Sequence, residues 1–355
     1  MFCDRGFLHS PLGATACSRV ARAPLISVLI PARDAEATLP AALASVSAQI
    51  EARFECVVVD DGSRDRTGDF ARSIAEHDPR FRVFSTEPRG IVPALAAGFA
   101  KCRGRYVARM DADDLMHRER LAEQLELLER RPDLAGAGCH VRLFPRRTLS
   151  RGITAYERWL VSLSSEDDVR RERFIECPLA HPSLFLRREV LERFPYRDPG
   201  WPEDYDLVLR ILAAGEKLGV VPKARHLWRD GPTRLSRTGA AYRLERFAAC
   251  RAHYLARDFL RDTPRFVLWG YGDTGRVLCR LLAFEGREPT HIVELHPGRV
   301  GQVIRGARVI RPEELASLGG VRVVVSVAGV EARTLIRKSL AAMGHREGES
   351  YVFAA

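Results

Sequence analysis

The chain has 355 residues, 46% of them hydrophobic and 29% charged, and its 56 Lys and Arg against 46 Asp and Glu give a formal net charge of +10. The length suggests two domains with room for a buried core, and the composition is that of an ordinary globular protein, which excludes a fibrous or wholly disordered chain. No apolar run approaches the ~18 residues a membrane span needs, and no recognition motif or aromatic-interleaved basic stripe marks a nucleic-acid binder.

Residues 1–24 carry Arg5, Arg19 and Arg22 but no continuous apolar stretch, so they read as a disordered extension and not as a secretory signal. From residue 25, strand and helix patterns alternate. A short apolar run over residues 26–30 closes at Pro31, and Leu39, Leu43, Val46 and Ile50 then recur at helical spacing. Residues 54–59 form a β-rich run that ends at Asp60. A helix is expected over 67–75, a strand over 81–84, a helix over 92–100 and a strand over 106–110. Leu121, Leu125 and Leu128 line one face of the next helix. The stretch 144–197 is less periodic, and its basic runs 146–151 and 170–173 are expected at the surface. Tyr205, Val208, Leu209 and Leu212 mark a helix that Gly215 is placed to end. A long helical segment over 240–260 leads to a boundary near residues 262–265. There a second, smaller α/β pattern begins, giving domains 25–262 and 263–355.

Alternation of this kind predicts a parallel sheet covered by helices, with ligands bound at the carboxyl ends of the strands. Three acidic groups fall at such ends. Asp111, Asp113 and Asp114 follow one strand. Clustered carboxylates repel unless a cation shares them, and hard oxygen ligands suit Mg²⁺ or Mn²⁺ bridging to phosphates. Asp60 and Asp61 follow another strand, with Gly62 allowing a tight turn. Glu203, Asp204 and Asp206 open a helix, where the dipole favours carboxylates and one facing a cleft can serve as general base. Taken alone, each of the first two groups is equally well read as a turn or helix cap, and for the third a solvated acidic first turn is the better reading.

Taken together and in this order, Ser27-Val28-Leu29-Ile30-Pro31, Val59-Asp60-Asp61-Gly62-Ser63, Arg109-Met110-Asp111-Ala112-Asp113-Asp114, His181-Pro182-Ser183 and Glu203-Asp204 resemble the family 2 glycosyltransferases of the GT-A fold, over residues 25–237. The resemblance implies a metal-dependent, inverting transfer from a nucleotide-diphosphate sugar, UDP-linked by default, to a hydroxyl on a sugar or lipid-linked acceptor in polysaccharide or glycolipid assembly. Pro31 would line the nucleotide, Asp60 bond the base, Asp111 sit near the ribose, Asp113 hold the metal and Asp204 act as base. Trp201, Glu203 and His181 would flank the acceptor or sugar, and Arg234 and Ser236 would lie on a segment closing over the diphosphate. Three positions depart from the family pattern: Asp34 and Ala96 stand where asparagine is common, and Asp230-Gly231 where a histidine often follows Trp228-Arg229.

In the smaller domain, Gly270, Gly272 and Gly275 form a GxGxxG turn between a strand and a helix, with Glu294 at the end of the next strand. This resembles half of a Rossmann dinucleotide fold. An NAD-type cofactor is therefore weighed against a supporting module without one. A sugar-nucleotide oxidoreductase and a non-catalytic nucleotide-sugar-binding scaffold are the competing readings of the whole chain. Eight cysteines stand singly, with no CxxC pair, as in a reduced cytoplasmic protein. The basic surface would allow peripheral contact with the inner membrane face.

Overall fold

The computed structural model describes residues 23–232 and 234–355. The expected N-terminal extension, apart from its last two residues, lies outside the described residues. Among the described residues, two sheets are present. The first has eight strands: β1 (Ile26–Ala32), β2 (Phe54–Asp61), β3 (Phe81–Thr86), β4 (Tyr106–Arg109), β5 (Leu115–Met116), β6 (Leu134–Phe144), β7 (Phe185–Arg187) and β8 (Lys217–Arg229). Their order is β3-β2-β1-β4-β7-β6-β8-β5. Strands β3, β2, β1 and β4 run parallel, β7 is antiparallel to both β4 and β6, and β6 pairs in parallel with β8.

The apolar run in β1 is continuous because both of its faces are covered. Ile26, Val28 and Ile30 pack with helix Leu39–Ser47 on one face, and Leu29 packs with Val57, Val59 and helix Ile91–Phe99 on the other. Gly98 lets that second helix approach, since a Cβ there would lie 2.3 Å from Leu29 Cδ1 and 2.7 Å from Val59 Cγ2. Pro31 is tolerated in a central strand because β4 ends opposite Leu29, so no ladder bond to β4 is lost.

The second sheet has six strands: β9 (Arg265–Trp269), β10 (Glu288–Val293), β11 (Val303–Ile304), β12 (Ala307–Ile310), β13 (Val323–Val325) and β14 (Tyr351–Phe353). Their order is β11-β12-β10-β9-β13-β14, all parallel except the β11–β12 hairpin. Helix Leu244–Arg257 lies between the sheets, and one apolar cluster runs from Leu29 through Tyr205, Cys250 and Leu255 to Leu268 and Val352. The second sheet also grips the first unit through polar contacts. Arg251, on that helix, donates to Ala354 O at 2.8 Å and to Ile175 O at 2.7 Å, and Arg337 pairs with Glu172 at 2.5 Å.

Two local expectations are corrected. Ile50 is not on the apolar face of a helix: the helix ends at Ser47 and Ile50 is exposed. The basic run 170–173 is not wholly at the surface. Arg173 is buried, with Asp258 at 2.9 Å as its counter-ion, because it sits where the loop meets the end of helix Leu244–Arg257.

Candidate active site

The site forms at the carboxyl ends of β1, β2 and β4, where parallel sheets leave a crevice. At the end of β2, Asp60 Oδ1 accepts the Ser63 amide at 3.0 Å and Asp61 accepts the Arg89 and Gly90 amides at 2.9 and 2.8 Å. Gly62 between them has φ +66°, and a Cβ there would lie 2.7 Å from Pro88 Cδ, so both backbone and space require glycine. Asp34 adopts φ +47°, which asparagine and aspartate tolerate best, and it bonds across to Ser63 and Arg64. The departure from asparagine at this position therefore keeps the backbone role.

Beyond β4 the chain turns through Asp111, Ala112, Asp113 and Asp114. A carboxylate oxygen from each of the three aspartates lies within 4.8 Å of the others. Their environments differ. Asp111 sits 2.5 Å from the buried Arg109 guanidinium. Burial pushes its carboxyl up, but the Arg109 charge outweighs that and holds it low. The pair is close but poorly aligned, and Arg109 Nε and Nη1 have no hydrogen-bond acceptor among the described residues. Asp114 is fully buried. It receives the Arg229 amide at 2.6 Å and faces the His226 ring at 2.7 Å; burial and the Asp111 charge push it up. Asp113 is part-buried and pairs with no other side chain among the described residues, and burial, then Asp111 and Asp114, push it up to about 7. A cation would relieve that repulsion, and the donors are hard oxygens, so the residues fit Mg²⁺ or Mn²⁺.

Across the crevice, Pro202 precedes helix Glu203–Ala213. Glu203 is buried, accepts Tyr242 Oη at 2.5 Å and lies 3.6 Å from His181 Nδ1. Burial, then Asp204, push Glu203 up to about 7. Burial pushes Asp204 up to about 6; its Oδ1 is met by the next amide in the chain, and it is only part-buried. Arg109 joins the two halves, since its charge acts on Asp111, Glu203 and Asp204 alike. His181 is buried against Tyr196 Oη at 3.1 Å, and burial followed by the Arg109 charge holds it well below the usual imidazole range, hence neutral.

Other expected residues are placed as follows. The Trp201 indole N–H goes to Asp206 Oδ1 at 3.0 Å, and Asp206 is consumed by Arg197, Arg210 and Tyr254. Arg234 lies 4.2 Å over the Trp228 ring, and its charge reaches all three aspartates of the turn. Ser236 is exposed on the short helix Leu235–Thr238. Asp230, standing where the family pattern often has a histidine, holds this segment: Arg237 donates to both of its oxygens at 2.8 Å and Arg234 lies 3.6 Å away. Gly270, Gly272, Gly275 and Glu294 belong to the second sheet and not to this crevice. Sequence reasoning assigned no role to Arg109, Tyr242, Arg120 or His226. Arg120 and Gln124, polar and four apart on a helix otherwise apolar on that face, were the available signal for a buried network.

Residues 27–194 match the family described as Glycosyl transferase family 2. An uncharacterised glycosyltransferase, EpsJ of Bacillus subtilis, is 25% identical over 227 residues, which are 60% of this chain and 63% of that protein. The O-antigen biosynthesis protein RfbC of Myxococcus xanthus is 28% identical over 265 residues, 68% of this chain and 19% of that protein. The chain thus spans less than two thirds of these relatives. The crystal structure of S. aureus TarS 1-349 in complex with UDP-GlcNAc has a TM-score of 0.54 at 15% identity, covering 72% of this chain and 71% of that one, and shares its fold. Residues 27–194 thus form a family 2 glycosyltransferase domain.

Proposed function

We propose that the chain transfers a glycosyl group, with inversion, from a nucleoside-diphosphate sugar to an acceptor hydroxyl in envelope polysaccharide or glycolipid synthesis. One observation carries the reading. Two part-buried carboxylates without a side-chain partner among the described residues, Asp113 and Asp204, are each pushed up by burial, and the buried Arg109 links their groups, since its charge acts on both Asp111 and Asp204. The relatives' names favour polysaccharide assembly, and UDP is the default carrier because the similar TarS structure holds UDP-GlcNAc.

Asp113, with Asp111 beside it, would hold a divalent cation, which would supply positive charge against the leaving diphosphate. Pro31 and Asp60 border the nucleotide, with Asp111 near its ribose. Arg234 adds charge over the diphosphate, on a segment with Ser236 that Asp230 steadies. Asp204 takes the proton of the acceptor hydroxyl as its oxygen forms the bond to the anomeric carbon. The bond from that carbon to the diphosphate oxygen breaks on the opposite face, which inverts the configuration. Glu203, held by Tyr242, and His181 orient the acceptor, and Trp201, whose ring packs on His253, flanks it. Among the described residues no helix is long and apolar enough to cross a membrane. A lipid-linked acceptor would be met through peripheral contact of the basic surface at the cytoplasmic face.

The test is thermal stabilisation by UDP, GDP, dTDP and CMP, with and without Mn²⁺, on the wild type and on Asp113→Ala. A nucleotide at 100 times its Kd adds about 2.7 kcal/mol. The reading requires one nucleotide to stabilise with metal and that gain to vanish in the variant. Indifference to metal and to Asp113 overturns it.

A further inference from the structure

The three aspartates of the turn do not have equivalent surroundings, and the difference originates in β8, outside the segment that matches the family. Both oxygens of Asp114 are taken, one by the Arg229 amide at 2.6 Å and one by His226 Nε2 at 2.7 Å. The other ring nitrogen of His226 meets Arg120 Nη1 at 2.9 Å. A guanidinium only donates, so Nδ1 accepts and Nε2 carries the hydrogen that Asp114 receives. Arg120 is itself held by Gln124 Oε1 at 3.0 Å and by Arg109 O at 2.9 Å, and Gln124 continues to Ser183 O at 2.9 Å. Asp114, His226, Arg120 and Gln124 are all fully buried. A satisfied buried network of this kind fixes one geometry, because any rearrangement strands polar groups away from water. The same strand grips the neighbouring residue as well: Arg229 Nε donates to Asp113 O at 2.7 Å while its guanidinium lies 4.5 Å over the Phe144 ring.

We propose that His226 and Arg229 are positioning residues for the donor site: through Asp114, which is a strut and not a cation ligand, and through the Asp113 carbonyl, they fix the direction in which the Asp113 carboxylate meets a divalent cation. The inference rests on the glycosyltransferase reading, since it assigns the cation to that site. It makes β8, from beyond the family-matched segment, part of the donor site.

The experiment is a Mn²⁺ titration followed by electron paramagnetic resonance with UDP present, on the full chain. Removing a group that orients a ligand weakens metal affinity about 10–100-fold. His226→Leu should show that loss. His226→Gln, whose amide can both donate to Asp114 and accept from Arg120, should restore Mn²⁺ affinity to within about threefold of the wild type. Arg229→Met keeps the stem over Phe144 but not the bond to Asp113 O, and should weaken Mn²⁺ about tenfold. Wild-type Mn²⁺ affinity in a folded His226→Leu overturns the proposal. If His226→Leu does not fold, wild-type affinity in Arg229→Met overturns it. Equal losses in His226→Leu and His226→Gln also overturn it, because geometry is then not what matters. A wild-type protein that binds no Mn²⁺ with UDP, GDP, dTDP or CMP instead removes the donor-site reading beneath it.

Discussion

Replacing Asp204 by asparagine should make the protein slower and more stable at once. Asp204 is pushed up to about 6, from 3.8, mainly by burial. A folded-state value above the unfolded one means the folded chain binds more protons between roughly pH 4 and 6, so stability falls as pH rises through that window. At one unit per 1.36 kcal/mol, the shift corresponds to about 3 kcal/mol of instability above pH 6; partial exposure reduces this to roughly 1–3 kcal/mol. Asparagine cannot ionise and has nearly the same shape. Asp204→Asn should therefore match the wild type at pH 4 and exceed it by that amount at pH 8. Turnover should fall on the order of 10²–10⁴, the usual worth of a general base. Glu203 is pushed up to about 7 by burial and then by the Asp204 charge; the variant removes that second push, so Glu203 adds to the gain at pH 8. The assay is denaturant unfolding at pH 4, 6 and 8, paired with nucleotide release at the same pH values. Wild-type activity rises with pH through about 6 as Asp204 loses its proton. A variant no more stable at pH 8 than the wild type, or one retaining its turnover, refutes the reasoning.

Other changes test other parts of the structure. Asp230→Ala frees Arg234 and Arg237, and nucleotide affinity should weaken about tenfold, roughly 1.4 kcal/mol, with Mn²⁺ affinity unchanged; calorimetric titration decides. Gly62→Ala forces a side chain into a left-handed backbone against Pro88 and should cost roughly 1–3 kcal/mol in denaturant unfolding. Arg337→Ala breaks the pairs with Glu172 and Glu347, and hydrogen exchange should rise together in helix Glu166–Glu172 and in β14, a coupling that separate, independent modules would not show.

The acidic turn and the acidic start of helix Glu203–Ala213 were legible because their chemistry is local. Carboxylates at a strand end or in a first helical turn can be read from a few consecutive residues. What surrounds them could not be read in the same way. Arg109 sits in a β-run and looks like an exposed charge, yet it is buried between Asp111 and the Glu203–Asp204 pair. Tyr242 reaches Glu203 across 39 positions, and His226 reaches Asp114 across 112. Contacts of that separation depend on the strand order β7-β6-β8-β5, which no periodicity encodes. Strands β6 and β8 themselves escaped because glycines and charges interrupt their apolar pattern. Gly136 and Gly138 are there because Leu186 and Leu179 pack where a Cβ would stand, at 2.3 and 2.7 Å.

The glycine turn of the second sheet poses a different question, because packing already accounts for most of its pattern. Gly270 has φ +95° and faces Val327 Cγ2, where a Cβ would stand at 2.5 Å. At Gly275 a Cβ would lie 2.3 Å from Gly270 O, so the close crossing of strand and helix demands that residue without any ligand. Glu294 is held by Arg299 at 3.0 Å, and the same Nη1 donates to Tyr271 O at 3.1 Å, which ties the carboxylate to the turn. Only Gly272, with open space around its Cβ position, is left without a packing reason. The second sheet meanwhile performs a structural task that can be read directly. Arg251 and Arg337 fasten it to the segment from Glu172 to Ile175, and Tyr205, one residue after Asp204, donates to Arg173 O at 2.7 Å within that segment. The contacts between the two sheets thus end next to the residue proposed as base. Loosening the second sheet should accordingly disturb the acceptor side of the crevice before it disturbs the metal side.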